Sequence, residues 1–279
     1  MAKKKILVTG ACGYRGRHVI YTLLAQGHHI IAADVVNHGI DERCDTFIGD
    51  IFQADDHLYE KLHCPDICLH LAWRDGFHHN SDYHMGHVSE HYQFLVRMAN
   101  QGCKHLAVLG SMHEIGYHEG MIEESTKANP RSMYGIAKFA LRQACELKFQ
   151  ALPDVVFQWL RAYYIYGDDK QNQSIFTKLI SAEAEGKTTF PFTSGKNKFD
   201  FIHIDELAKQ ITAVISQTKI QGIIECCSGK PISLAEKVED FITQHHYKIK
   251  LDYGAFPDRP YDSPVVYGDA SKIKQILKK

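Results

Sequence analysis

Apolar positions along the 279-residue chain fall into two alternating patterns. Short unbroken apolar runs read as buried strands: Lys5–Val8, His29–Ala33, "TFIGD", "ICLHLA", "HLAVLGS" and "VVFQWLRAYYIYG". Between them, apolar residues recur every three or four positions, the spacing of one helical face: Tyr14–Gln26, "HLYEKL", Val88–Asn100 and Tyr134–Gln150. Strands alternating with helices predict right-handed crossovers, and hence an α/β chain with a doubly wound parallel sheet. Beyond Gly167 the alternation loosens. A helix at Ser174–Gly186, a strand running into a helix at "FDFIHIDELAKQITAVI" and a helix at "PISLAEKVEDFITQ" predict a small C-terminal α/β lobe. No repeat or Pro/Gly-rich linker intervenes, so the expected division is a main domain over 1–167, with return segments from the last third, and a lobe over 168–279 that packs on it.

The loop after the first strand carries the first chemistry. "TGACGYRG" places Gly10, Gly13 and Gly16 between a strand and a helix. Gly10 suits a tight turn, Gly13 leaves backbone N–H groups open to a pyrophosphate, and Gly16 lets the helix lie close to the strand. The positive end of the helix then faces the anion. Asp34 ends the second strand, where a carboxylate accepts both ribose hydroxyls of NAD and repels a 2′-phosphate. Arg15 and Arg17 leave NADP open, since an arginine beside this loop can hold that phosphate. The fold expected is therefore of the Rossmann type, with Gly10, Cys12, Gly13, Tyr14, Arg15, Gly16 and Asp34 around the cofactor.

With this loop in place, the chain resembles the extended short-chain dehydrogenase/reductases, specifically the epimerase/dehydratase branch that acts on nucleotide sugars. Six further segments, in order, carry the resemblance: "GDI", "HLAW", "YGIAK", "FDFIHIDELAK", "CCSGKPISLAE" and "RPYDSPVVYGDASKIKQIL". It implies cofactor contacts from Asp50 and Ile51, from Leu71, Ala72 and Trp73, and from Tyr134 and Lys138. It implies a phosphate contact from Arg259, whose planar fork suits phosphate oxygens. It also implies a homodimer formed through the helices Val88–Asn100 and Tyr134–Gln150.

Tyr134 and Lys138 are four apart on a predicted helix and project from one face. A phenol near pKa 10 is a poor acid or base at neutral pH, and a neighbouring ammonium stabilises its phenolate. Tyr134 would exchange a proton with a sugar oxygen while hydride moves to or from the nicotinamide. The third catalytic group should be a hydroxyl. In "LGSMHEIGY" one register puts Ser111 in that slot, and the other puts Met112 there. Ser111 is the chemically competent choice. The second register sets His113 and Glu114 where related dehydratases carry an acid pair, and both are candidates for substrate contact or proton transfer. Tyr164 occupies the slot that an asparagine fills in many relatives, a substitution resembling the 4-ketoreductases of deoxysugar pathways.

These residues lead to an NAD(P)-dependent oxidoreductase acting at C4 of a nucleotide-activated (deoxy)hexose, in first place a 4-ketoreductase. An NAD-retaining 4-epimerase is the alternative, and a dehydratase or other sugar oxidoreductase shares the residues. A non-catalytic dinucleotide-binding sensor or scaffold is a further alternative, against which Tyr134 and Lys138 argue. Composition adds exclusions. Lys plus Arg is 32 and Asp plus Glu is 33, so no basic surplus points to nucleic acid. No apolar run of membrane-spanning length and no secretory signal is apparent, so no membrane partner is expected. Eight cysteines without a CxxC pair read as reduced thiols of a cytoplasmic protein. The 18 histidines include His84, His87 and His91 on one helical face, with His78 and His79 upstream. No family pattern supplies a cysteine or carboxylate partner, so no metal is expected there.

Overall fold

In a computed structural model, which describes residues 3–167, 174–258 and 262–278, seven strands form one parallel sheet. In chain order they are β1 (Lys5–Thr9), β2 (His29–Asp34), β3 (Asp45–Ile48), β4 (Ile67–His70), β5 (His105–Ser111), β7 (Val156–Ala162) and β11 (Gly222–Cys226), with β6 and β8–β10 belonging elsewhere. Their spatial order is β11-β7-β5-β4-β1-β2-β3. The helices α1 (Tyr14–Ala25), α2 (Leu58–Lys61), α3 (Tyr83–Gln101) and α4 (Met133–Gln150) are interleaved with them. The order reverses between β1 and β4, the switch point at which such sheets open a crevice for ligands.

The unbroken apolar runs follow from burial on both faces. Ile6, Val8, Leu69, Ala107 and Leu109 share one core with Val19, Ile20 and Leu23 of α1. Leu7, Cys68, Leu106 and Val108 point to the other face, against Phe94, Leu95 and Met98 of α3 and Leu141 and Cys145 of α4. All eight cysteines are free thiols.

The smaller lobe is built on a second sheet. It contains β6 (Gly120–Ile122), β8 (Tyr164–Tyr166), β10 (Lys198–His203), β12 (Pro231–Ser233) and β14 (Val265–Gly268). A separate pair joins β9 (Thr189–Pro191) to β13 (Lys250–Asp252). The helices α5 (Ile175–Ala184), α6 (Ile204–Ile215), α7 (Leu234–Gln244) and α8 (Ser271–Leu277) complete the chain. Three sequence expectations need amendment. "VVFQWLRAYYIYG" is not one strand: it breaks at Tyr163, and β8 leaves the main sheet to pair with β10. The helix expected from Val88 begins at Tyr83, after a loop joined to α4 where Tyr134 N donates to His79 O. The short strand β6, from the first half of the chain, joins the lobe's sheet beside β14.

Gly110 lies within β5 where Trp159 of β7 crosses it, and a Cβ there would stand 2.1 Å from Trp159 Nε1. Gly110→Ala is expected to cost about 1–3 kcal/mol by overpacking. Gly76→Ala, whose Cβ would meet nothing within 4 Å, should stay within about 0.5 kcal/mol of the parent. Chemical denaturation compares the two, and equal stability would contradict this packing.

Candidate active site

The glycine loop is held open by its own backbone. Gly10 has φ +69°, and a Cβ on it would come within 2.8 Å of the Ala72 backbone. Only a glycine accommodates both the angle and the approach to the end of β4. Gly16 packs so close that a Cβ would lie 2.3 Å from Gly10 O. Asp34 ties the loop to β2: its Oδ2 accepts from Cys12 N at 2.9 Å and its Oδ1 from Val35 N at 2.8 Å. Each oxygen keeps acceptor capacity for a further donor. Gly49 N donates to Asp34 O at 3.0 Å, which brings the β3 end, with exposed Asp50 and buried Ile51, alongside. Tyr14 opens α1 and packs edge-on against His18.

These residues fit a dinucleotide diphosphate. Gly13, the N-cap of α1, provides no side-chain cap, and no acidic residue occupies the first turn. The first N–H groups of the helix are left for an anion. Arg15 lies in the same cleft with its Nε buried and without a hydrogen-bond partner. A guanidinium donor left unsatisfied there suits a phosphate oxygen.

Arg15, Trp73, Ser111, Tyr134 and Lys138 line one cleft at the C-terminal ends of β1, β4 and β5, together with Leu71. Ser132 caps α4 by accepting from Gly135 N at 3.1 Å, so Tyr134 stands in the first helical turn and Lys138 one turn further. Burial raises the pKa of Tyr134, while Arg15 and a hydrogen bond with Ser111 pull it down. Burial, then Arg15, lowers Lys138 to about 7, against a smaller opposing pull from Glu114. Lys138 Nζ donates to Leu109 O at 2.8 Å. Of the two registers at the third position, Ser111 lines the cleft, whereas Met112 packs into the core. Ala72 lies against Gly10.

The sugar-facing candidates separate. His113 stands 6.0 Å from the Tyr134 ring and 6.3 Å from Tyr164, ring centre to ring centre. Burial, then His79, pushes its pKa down to about 3, so it is neutral. Tyr164, on β8, packs at a tilt against Phe199, ring centres 4.4 Å apart. Glu114 is not with them, and the expectation of a substrate contact is corrected. It is fully buried, accepts from Trp159 Nε1 at 3.0 Å and from Arg161 Nε, and lies 3.7 Å from Arg142 Nε. Two buried guanidinium groups need that carboxylate as counter-charge. Arg259 lies outside the described residues. His79 joins the group: its ring is nearly parallel to Tyr134 at 5.3 Å and 4.5 Å from His113, and its carbonyl accepts from Tyr134 N at 2.8 Å. Among the described residues no cluster of three metal-ligating side chains forms. His84 and His91 instead pack on Trp73.

Removing Glu114 by Glu114→Ala should cost about 3–5 kcal/mol, since Arg161 and Arg142 would be left buried without it. Thermal or urea unfolding reads this. A variant that keeps its stability and loses only activity would return Glu114 to the cleft.

Comparisons with known proteins agree with this architecture. The sequence pattern of the NAD dependent epimerase/dehydratase family matches residues 6–227. The chain is 45% identical over 267 residues to the dTDP-6-deoxy-L-talose 4-dehydrogenase (NAD(+)) of Aggregatibacter actinomycetemcomitans, covering 94% of this chain and 98% of that protein. It is 24% identical over 257 residues to the CDP-abequose synthase of Salmonella muenchen, covering 90% and 84%. In fold it is similar to the UDP-N-acetylglucosamine 4-epimerase of Methanobrevibacter ruminantium M1, with a TM-score of 0.86 at 21% identity, over 100% of this chain and 93% of the other. The glycine cradle, the parallel sheet and these matches together establish that the chain belongs to the NAD dependent epimerase/dehydratase family and is an enzyme of its extended short-chain dehydrogenase branch.

Proposed function

We propose that the protein is an NAD-dependent 4-dehydrogenase of a nucleotide-activated 6-deoxyhexose, and in the reverse direction the corresponding 4-ketoreductase. The observation that carries this is the meeting of Ser111, Tyr134 and Lys138 in one cleft at the mouth of the glycine cradle. The near full-length likeness to a dTDP-6-deoxy-L-talose 4-dehydrogenase supports both the position of the reaction and the nucleotide-deoxysugar class.

In this reading the cofactor supplies a hydride acceptor. Tyr134 takes the proton of the C4 hydroxyl as the C4–H electron pair leaves and the ketone forms. Ser111 donates to the reacting oxygen and fixes its position. Lys138, as an ammonium, stabilises the Tyr134 phenolate against the burial that disfavours it. Asp34 accepts the adenosine ribose hydroxyls, which favours NAD over a 2′-phosphorylated cofactor. Arg15 and the start of α1 hold the diphosphate.

The walls beside Tyr134 bear on the sugar. His79, His113 and Tyr164 are aromatic, and burial keeps His113 neutral. Such walls suit a C6 methyl better than a C6 carboxylate, which asks for a cation. The packed helices α3 and α4 leave Ile136 and Leu147 exposed, Leu147 by 75%, a surface suited to a second copy of the chain. An epimerase would use the same cleft and differ in returning the hydride to the sugar.

Tyr134→Phe is expected to lower kcat at least about 100-fold, the usual worth of a general acid–base group, with NAD binding within a few-fold of the parent. Turnover is followed at 340 nm with NAD and a nucleotide 6-deoxyhexose, and binding by calorimetry. Undiminished turnover in the variant would remove Tyr134 from the mechanism.

A further inference from the structure

The surplus histidines of α3 and β4 surround one side chain, Trp73. Its indole is braced on a face and at an edge: His91 stacks on one face at 4.4 Å and 17°, and His84 lies nearly parallel beside it, ring centres 6.1 Å apart at 20°. Its edge is fixed as well. Trp73 Nε1 donates to His84 Nδ1 at 3.2 Å. An indole is only a donor, so His84 Nδ1 is the acceptor, and His84 Nε2 carries the proton and donates to His78 O at 3.1 Å. His91 is held from behind. Its Nδ1 bonds to His70 Nε2 at 2.8 Å, and His70 Nδ1 bonds to Thr9 Oγ1 at 2.8 Å. Thr9 Oγ1 in turn accepts from Ala72 N at 3.3 Å. The chain thus runs from the last residue of β1 through two buried imidazoles to the indole.

The face so fixed covers the Lys138 ammonium, whose Nζ lies 3.8 Å from the ring centre. That ammonium is buried and donates to a carbonyl, Leu109 O, and among the described residues no carboxylate is within ion-pair distance of it. A desolvated cation over an indole face is a favourable arrangement, Trp being the strongest partner among the aromatic residues.

We propose that Trp73 is a positioning residue for the reaction at Tyr134: its histidine-braced indole face holds the Lys138 side chain in place as a charged ammonium beneath the catalytic tyrosine. This rests on the dehydrogenase reading for its consequence, and on geometry alone for the contact itself. The groups facing Lys138 are Tyr134 on its own helix, Arg15 at the start of α1, Glu114 after β5, His70 on β4 and His91 on α3. Burial, and then the Lys138 charge, lowers the pKa of His70 to about 3, and burial lowers that of His91 further, so neither competes as a cation. Glu114 is engaged by Arg161 and Trp159 and is not free to replace the indole.

The test reads the lysine directly. Protein with 13C-labelled lysine is titrated by NMR, and Lys138 is assigned by its loss in Lys138→Met. Trp73→Leu removes the face, and Trp73→Phe keeps a ring without the Nε1 donor. Fluorinated tryptophans weaken the face while preserving its shape, with the same labelling in Trp73→Phe giving the share due to Trp159. The expected result is a fall of the Lys138 midpoint by about one pH unit in Trp73→Leu, tenfold in its dissociation constant, and a graded fall with fluorination. Where the enzyme turns over, the alkaline rise of dehydrogenation should move to higher pH in the same order. A midpoint that stays put across the fluorinated series overturns the proposal, as does a loss of thermal stability with no change in midpoint. This readout needs no substrate, so it stands apart from whether the sugar class is right; Tyr134→Phe judges that reading.

Discussion

The architecture of the cleft depends on one close backbone approach, that of Gly10 to Ala72. With a side chain at Gly10, the loop after β1 and the end of β4 would collide at 2.8 Å, and the positive φ would be strained. The approach does two things. It points the uncapped start of α1 into the crevice at the switch point of the sheet. It also sets Ala72, and hence Trp73 beside it, over Lys138. The glycine cradle and the helix α4 that carries Tyr134 and Lys138 are thereby fixed to the same two strands.

Buried charge is the second constraint, and it is met in two different ways. Behind the cleft, Glu114, Arg161, Arg142 and Glu225 neutralise one another through ion pairs, with Tyr163 donating to Glu225 Oε2 at 2.8 Å. A network of that kind is costly to break at one member. In the cleft, Lys138 has no carboxylate partner among the described residues and meets a carbonyl and an indole instead. In the proposed reaction, an ammonium at that point leaves its charge for the Tyr134 phenolate.

The sequence disclosed those features whose physics is local. The glycine spacing, the carboxylate ending β2, the four-residue separation of Tyr134 and Lys138 and the alternation of strands and helices are each set by a few neighbouring residues. The break at Tyr163 was hidden because Ala162 to Tyr166 is an unbroken run of apolar and aromatic residues with no turn signal, and only the competition of two sheets for its edges divides it. Glu114 looked like a catalytic acid by its place after β5, but Arg161 and Trp159, some 45 residues away in sequence, claim it. His79 and the stack on Trp73 carried no local signal. The helical spacing of His84, His87 and His91 was visible, yet the Trp73 indole that His84 and His91 brace was not.

In the proposed reaction, hydride passes from C4 of the sugar to a cofactor that then leaves. A nucleotide 6-deoxyhexose deuterated at C4, incubated with NAD and the enzyme, tests this, with both products analysed by mass spectrometry. Deuterium is expected in reduced NAD free in solution, in equal amount with a 4-keto sugar that has lost it. Deuterium retained at C4 of a sugar with inverted configuration, with no free reduced cofactor, would instead make the enzyme an epimerase.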